Sequence, residues 1–234
     1  MDLADTLPAS LKNHVLAVLL LRLPRPYCNQ SDFDPLRQGR FATRLMTGLL
    51  AAASDGDSHV CRAIARSGRG LVRLIDLEYG VVPGPEHAAA RAARAVEFMR
   101  VLARPETLES GESGEAVSTA SSLLSYFLAD QMQAHLPMLR ALVRTPGNGG
   151  NHPGLRYLAE IVYLVPDSDA RAELMCDMVA SAKAGAAPRG PMAVSDAVND
   201  IARQLRRSAE ALRPQQRASV NAALLAAGYR HAPL

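Results

Sequence analysis

Five prolines divide this chain. Asp34-Pro35, Gly84-Pro85, His152-Pro153, Gly190-Pro191 and Arg213-Pro214 each stand immediately before a segment rich in Ala and Leu. A proline lacks the N–H that an interior helical residue donates. It fits the first helical turn, where that N–H has no acceptor anyway. Each of the five therefore predicts a helix start. Gly228 follows Leu224-Leu225-Ala226-Ala227 and predicts a C-terminal stop. Asp167 and Asp169 sit where a cap and a first-turn anion favour a helix from residue 168.

Spacing within the segments agrees. Val117, Ala120, Leu124, Phe127 and Gln131 step by three and four, as do Val194, Val198, Ile201, Leu205, Ser208 and Leu212. Such steps place one face in register every turn. Alternation at period two is scarce, and the one strand-like window, Leu71–Tyr79, fits a short helix about as well. The pattern predicts helices over 8–22, 35–54, 58–67, 69–79, 85–103, 115–135, 137–145, 153–165, 168–184 and 191–228, the last broken at Pro214. Loops are expected at 104–114, which carries Glu106, Glu109 and Glu112, and at 146–154, rich in Gly and Pro. The expectation is all-α, one domain over residues 1–234.

Composition excludes several classes. With 234 residues, 48% hydrophobic and 21% charged, the chain has too much apolar content and too little charge for disorder. Its three cysteines, Cys28, Cys61 and Cys176, are too few and too far apart for a disulfide scaffold or a CxxC site. They read as buried, reduced thiols of an intracellular protein. The apolar run Val15–Leu21 is 7 residues long, against about 20 needed to cross a bilayer. Asp2 and Asp5 stand where a signal peptide carries positive charge, so the run reads as a buried helix. No membrane association is expected. Arg outnumbers Lys 24 to 2, which reads as coding composition. Residues 1–117 carry 14 basic and 14 acidic residues, and residues 118–234 carry 12 and 9. This weak excess does not demand nucleic acid.

One stretch resembles a known repeat. Asp57–Gly68 is a short Ala-rich helix ending at Gly, and Leu71-Val72-Arg73-Leu74-Ile75 follows it. A loop then leads to Ala92, Ala93, Val96, Phe98, Met99 and Leu102. This order resembles an armadillo repeat, best over residues 57–103. His135–Val143, followed by Leu155, Leu158, Ile161 and Leu164, resembles a second copy, and Arg44–Leu50 a half-copy. The markers Leu45, Val96 and Tyr157 lie 51 and 61 residues apart, longer than a regular unit of about 40–47. The resemblance implies an irregular, right-handed armadillo/HEAT-like stack, with some other α-helical bundle as the alternative. Ala at 88, 89, 90, 92, 93 and 95 would let helices approach closely, which accounts for aromatics at 4% and no Trp.

No catalytic constellation emerges. The six His are scattered, with no HExxH and no His/Cys pair at zinc spacing. His59 and Cys61, like Asp76 and Glu78, lie two apart and diverge on a helix. Gly147-Asn148-Gly149-Gly150 lacks the Lys-Ser/Thr of a phosphate loop. No catalytic, cofactor or metal residue is assigned, and no enzyme is expected. The expected function is a non-enzymatic protein-interaction module or scaffold subunit of a larger complex. In an armadillo-like stack the inner groove would carry Arg69, Arg73 and Asp76 together with Arg140 and Arg144. That lining implies an acidic or mixed-charge peptide as partner, and the missing Trp argues against a nuclear-import receptor. The alternative is a nucleic-acid-associated protein using Arg203, Arg206 and Arg207, continued by Arg213 and Arg217.

Overall fold

The computed structural model describes residues 8–22, 35–79, 85–109, 113–127, 129–144 and 153–234. Thirteen α-helices and no strand occur among the described residues. They are α1 (Ala9–Leu21), α2 (Pro35–Ser54), α3 (Ser58–Ala65), α4 (Gly68–Tyr79), α5 (Pro85–Leu102), α6 (Pro105–Glu109) and α7 (Ser113–Leu123). After them come α8 (Ala129–Ala134), α9 (Leu136–Arg144), α10 (Pro153–Ile161), α11 (Ser168–Ala186), α12 (Pro191–Ala209) and α13 (Pro214–Ala226).

The chain is all-α, and its starts are where proline and cap chemistry place them. Pro35, Pro85, Pro153, Pro191 and Pro214 are the first residues of α2, α5, α10, α12 and α13. The Asp167 side chain accepts from the Asp169 N–H at 2.8 Å and the Ala170 N–H at 3.0 Å. Gly228 follows α13 at φ +96°, a left-handed conformation that glycine adopts without Cβ strain. The strand-like window Leu71–Tyr79 is helical, as part of α4.

Three segments depart from the expectation. The helix expected over 115–135 breaks after Leu123 into a 3-10 turn, Leu124–Tyr126, and an extended Phe127. The cause is tertiary. The Tyr126 hydroxyl lies 3.1 Å from the Val72 carbonyl and 2.9 Å from Asp76 of α4, and the Arg91 guanidinium of α5 stands 4.7 Å over its ring. Phe127 then turns into the core. The segment 153–165 likewise tightens to a 3-10 turn at Val162–Leu164, where Arg171 donates twice to the Val165 carbonyl. The acidic segment 104–114, expected as a loop, forms α6 over Pro105–Glu109. Thr107 anchors it from a buried position by donating to the Val101 carbonyl at 3.0 Å. Residues 145–152, most of the second expected loop, lie outside the described residues.

Most packing joins helices one or two apart in sequence. α1 packs on α3, α2 on α4, α9 on α11, α10 on α12 and α11 on α13. One apolar cluster runs from Ala17 and Leu20 of α1 to Val220 and Leu224 of α13. The alanines of α5 divide: Ala92 and Ala95 are buried, whereas Ala89 and Ala93 face outward. α7 links the two ends: it packs on α3, α4 and α5 and also on α9 and α10, and α5 touches α9 as well. The contact of α7 with α4 is close. A Cβ on Gly68 would stand 3.1 Å from the Thr119 Cα. The Thr119 hydroxyl donates at 2.6 Å to the Ala65 carbonyl, one of the acceptors left open at the end of α3.

Two outcomes follow. Gly68→Ala forces backbone against backbone and is expected to lower the unfolding free energy by about 1–3 kcal/mol in urea titration. Thr119→Val leaves the Ala65 carbonyl without a partner, and about 1–3 kcal/mol is expected again. A further outcome concerns acid. Asp57 caps α3 by accepting from the Val60 N–H at 3.0 Å, and accepts from Asn13 of α1 at 2.9 Å. The Val60 N–H foremost, and then the Asn13 amide, hold this carboxyl below the usual Asp range. A carboxyl lowered in the folded state stabilises above its unfolded value of 3.8, and that contribution is lost as pH falls through the folded value. Asp57→Asn is therefore expected to lose less stability than the native chain between about pH 5 and pH 2, followed by circular dichroism.

Candidate functional site

α1 is apolar around most of its circumference. Ala17 and Leu20 are buried against the neighbouring helices, and Leu16 lies against Gly48 of α2, where a Cβ would meet its methyls at 3.2 Å. The opposite side is also apolar. Leu11, Val15 and Leu19 are four residues apart and so share one face. They expose 46%, 40% and 40% of their surface, and Leu21 exposes 54%. This corrects the expectation that Val15–Leu21 is a buried helix. α1 packs on α2, α3 and α4. The described residues supply nothing that covers its other side.

α2 extends this surface. Leu16 meets Gly48 while Asn13 reaches Asp57, so α1 and α2 run antiparallel. Phe41, exposed at 43%, therefore lies toward the end of the pair that carries Leu19 and Leu21. The charged residues within α1 and α2 have one sign. Residues 8–22 and 35–54 contain Lys12, Arg22, Arg37, Arg40 and Arg44 and no Asp or Glu. Lys12, Arg22 and Arg40 are exposed. An apolar stripe with exposed cations beside it suits a partner that is apolar at its centre and acidic at its margins.

The arginines and the aspartate read from the sequence do not form one groove. Arg69 is exposed on α4, and Arg73, one turn on, is half-buried with a partner inside the chain. Asp76 accepts hydrogen bonds from Arg91 and Tyr126, which holds it against α5 and the turn after α7. Arg140 and Arg144 lie on α9, which packs on α11. There Arg140 bonds Glu173 at 2.6 Å and Asp177 at 2.7 Å, and Arg144 bonds Asp177 at 3.1 Å. The two sets thus belong to different helix neighbourhoods, and most of their charge is answered within the chain.

The C-terminal stripe is similarly engaged. The Arg207 guanidinium stands 4.9 Å over the Tyr163 ring. Arg213 donates to both oxygens of Asp169 at 2.8 Å, and Arg217 donates to the Glu210 carbonyl at 3.1 Å. Arg203 lies 3.9 Å from Asp200 in a polar recess that Arg156, Arg189 and Asp196 also line. Arg206 is exposed. Cys61 and Cys176 are free thiols, but half-buried where full burial was expected, and burial pushes both thiols up. Cys28 lies outside the described residues.

Hydropathy alone makes Val15–Leu21 look buried and hides the outer face of α1. A signal was present: apolar residues at positions 11, 15, 16, 18, 19, 20 and 21 exceed what one buried face requires. Among the described residues no helix is long and apolar enough to cross a membrane. Comparison with protein-family models, curated proteins and solved structures finds no match to this chain.

The two faces of α1 separate in stability. Val15→Ser with Leu19→Ser is expected to lower the unfolding free energy by only about 1–2 kcal/mol for the pair, because both side chains keep 40% of their surface exposed in the folded chain. Leu20→Ala, at a buried position, is expected to cost about 2–5 kcal/mol in the same denaturant titration.

Proposed function

We propose that this chain is a non-enzymatic protein-interaction module, a scaffold subunit whose partner lies along α1. The observation that carries this reading is the exposed stripe Leu11, Val15 and Leu19, with Lys12, Arg22 and Arg40 exposed on α1 and α2 beside it. The partner is an amphipathic protein helix with acidic margins. Its apolar positions at every third or fourth residue would cover the stripe, and its carboxylates would meet the basic side chains. The acidic character expected of the partner is kept, while its seat moves from the groove of Arg69, Arg73, Arg140 and Arg144 to the α1–α2 pair.

The architecture that presents this face is an irregular armadillo/HEAT-like stack. Its support is the prevalence of packing between helices two apart in sequence, which is how a stack grows in one direction from short helices. An end helix of a stack has one neighbour where inner helices have two, so an apolar outer face there asks for a capping partner. Such an interface needs no pocket and no converging nucleophile or base.

The test uses two labelled helical peptides with the same apolar face, one with Glu margins and one with Lys margins, read by fluorescence anisotropy. The acidic peptide is expected to bind and the basic one not. Val15→Ser with Leu19→Ser should weaken binding by at least about tenfold, since each lost apolar contact is worth about 1.5–3 kcal/mol. Lys12→Glu with Arg40→Glu should favour the basic peptide, and salt should weaken the native pairing. Vesicles of anionic lipid that bind where the acidic peptide does not would overturn the reading in favour of a membrane surface.

A further inference from the structure

A cleft of about 560 Å³ opens between the turn after α2 and the turn that leads into α6. This volume lies in the range of small-molecule sites. Its walls come from segments far apart in sequence: Ser54 and Gly56 at the end of α2, Cys61 and Ala65 on α3, and Arg104, Pro105 and Glu106 across from them. Gly56 turns the chain at φ +81° with open space on its Cβ side, which leaves that edge of the cleft clear.

The cleft holds two opposite charges that do not neutralise each other. Arg104 donates one guanidinium N–H to the Ala53 carbonyl and forms no ion pair among the described residues. Its remaining donors are left for another acceptor. Glu106 is exposed, two residues on, and likewise unpaired. Arg104 and Glu106 line this cleft together with the half-buried Cys61. Arg62 also lines the cleft but already has a partner in the chain. Ala65, Pro105 and Cys61 supply apolar lining to the same cleft, with Ser54, Ser58 and Thr107 beside them. A cation, an anion and an apolar wall around one small volume complement a ligand that carries both charges on an aliphatic body.

We propose that the α3–α6 cleft binds a small zwitterion of the aliphatic amino-acid type, with its carboxylate on Arg104, its ammonium on Glu106 and its chain against Ala65 and Pro105. The site is separate from the α1 surface, so it stands or falls independently of the interaction reading. The ligand is held by charge and by exclusion of water from its chain, and no covalent step is involved. Cys61 serves as the reporter, because a bound chain covers its thiol.

The test measures the rate at which maleimide labels Cys61 in the full chain, by peptide mass spectrometry, with Cys176 as the internal control. L-norleucine, hexanoate and hexylamine are the probes, since they share a chain and differ in charge. Norleucine at saturation is expected to slow labelling of Cys61 about tenfold and leave Cys176 unchanged, with hexanoate and hexylamine each at least about tenfold weaker in half-saturating concentration. Glu106→Gln, an exposed change, should cut norleucine affinity about tenfold and leave hexanoate unaffected. Arg104→Lys, checked for folding by its thermal midpoint, should weaken norleucine and hexanoate alike. No protection by any probe overturns the proposal. So does equal protection by hexanoate and norleucine with no effect of Glu106→Gln, which would make the cleft a site for simple carboxylates.

Discussion

The close approach of α4 and α7 helps hold the two ends of the structure in one packing. Gly68 brings the first turn of α4 against the Thr119 backbone, where an added Cβ would stand 3.1 Å from the Thr119 Cα and the neighbour would have to give way. The Thr119 hydroxyl completes the end of α3 in the same place. Because α7 also packs on α10, the approach made at Gly68 sets where the later helices stand relative to the earlier ones. Small side chains make this possible. Ser113–Leu123 reads SGEAVSTASSL, with no side chain larger than Leu, Val or Glu. A close-packed interior of this kind gains its cohesion from contact density, which substitutes for the large aromatic surfaces that other cores use.

Away from that crossing, arginine does much of the joining. Arg91 and Arg94 of α5 hold Asp76 and Glu78 of α4, and Arg140 and Arg144 of α9 hold Glu173 and Asp177 of α11. Arg213 grips Asp169 with two bonds, and Gln216 adds two more to Ser168 and Asp169. A guanidinium has five donors in a flat fork, so one arginine can satisfy a carboxylate, a carbonyl or an aromatic face across a helix interface. The abundance of Arg, which reads in the sequence as coding drift, thus serves specific pairs in the fold. It also explains why the sequence-level candidates shrink as a site: charges that look free along a helix are answered by the next helix. The exposed cations Lys12, Arg22 and Arg40 are on α1 and α2, two segments that themselves contain no Asp or Glu.

Much of the fold was legible. The five helix-starting prolines, the Asp167 cap, the Gly228 stop and the buried steps Val198, Ile201 and Leu205 are local or periodic, and local chemistry decides them. The break after Leu123 was not legible, because the Tyr126 anchor depends on Val72, Asp76 and Arg91 from elsewhere in the chain. Nor was the cleft beside Cys61, whose wall at Arg104 is about 40 residues further along the chain than its wall at Ala65. The outer face of α1 was half legible: its surplus of apolar positions is visible, but its exposure is not.

By itself, then, the sequence determined that this protein is helical, where most helices begin, and which residues line their inner faces. These follow from proline geometry, capping and the 3.6-residue period, which act within a few residues of chain. The tertiary structure alone decided which charges are consumed in pairs, which apolar face of α1 is left outside, and which distant turns enclose a cavity. Those depend on which helices become neighbours, and the approach at Gly68 and Thr119 sets that by contact between elements that share no sequence pattern.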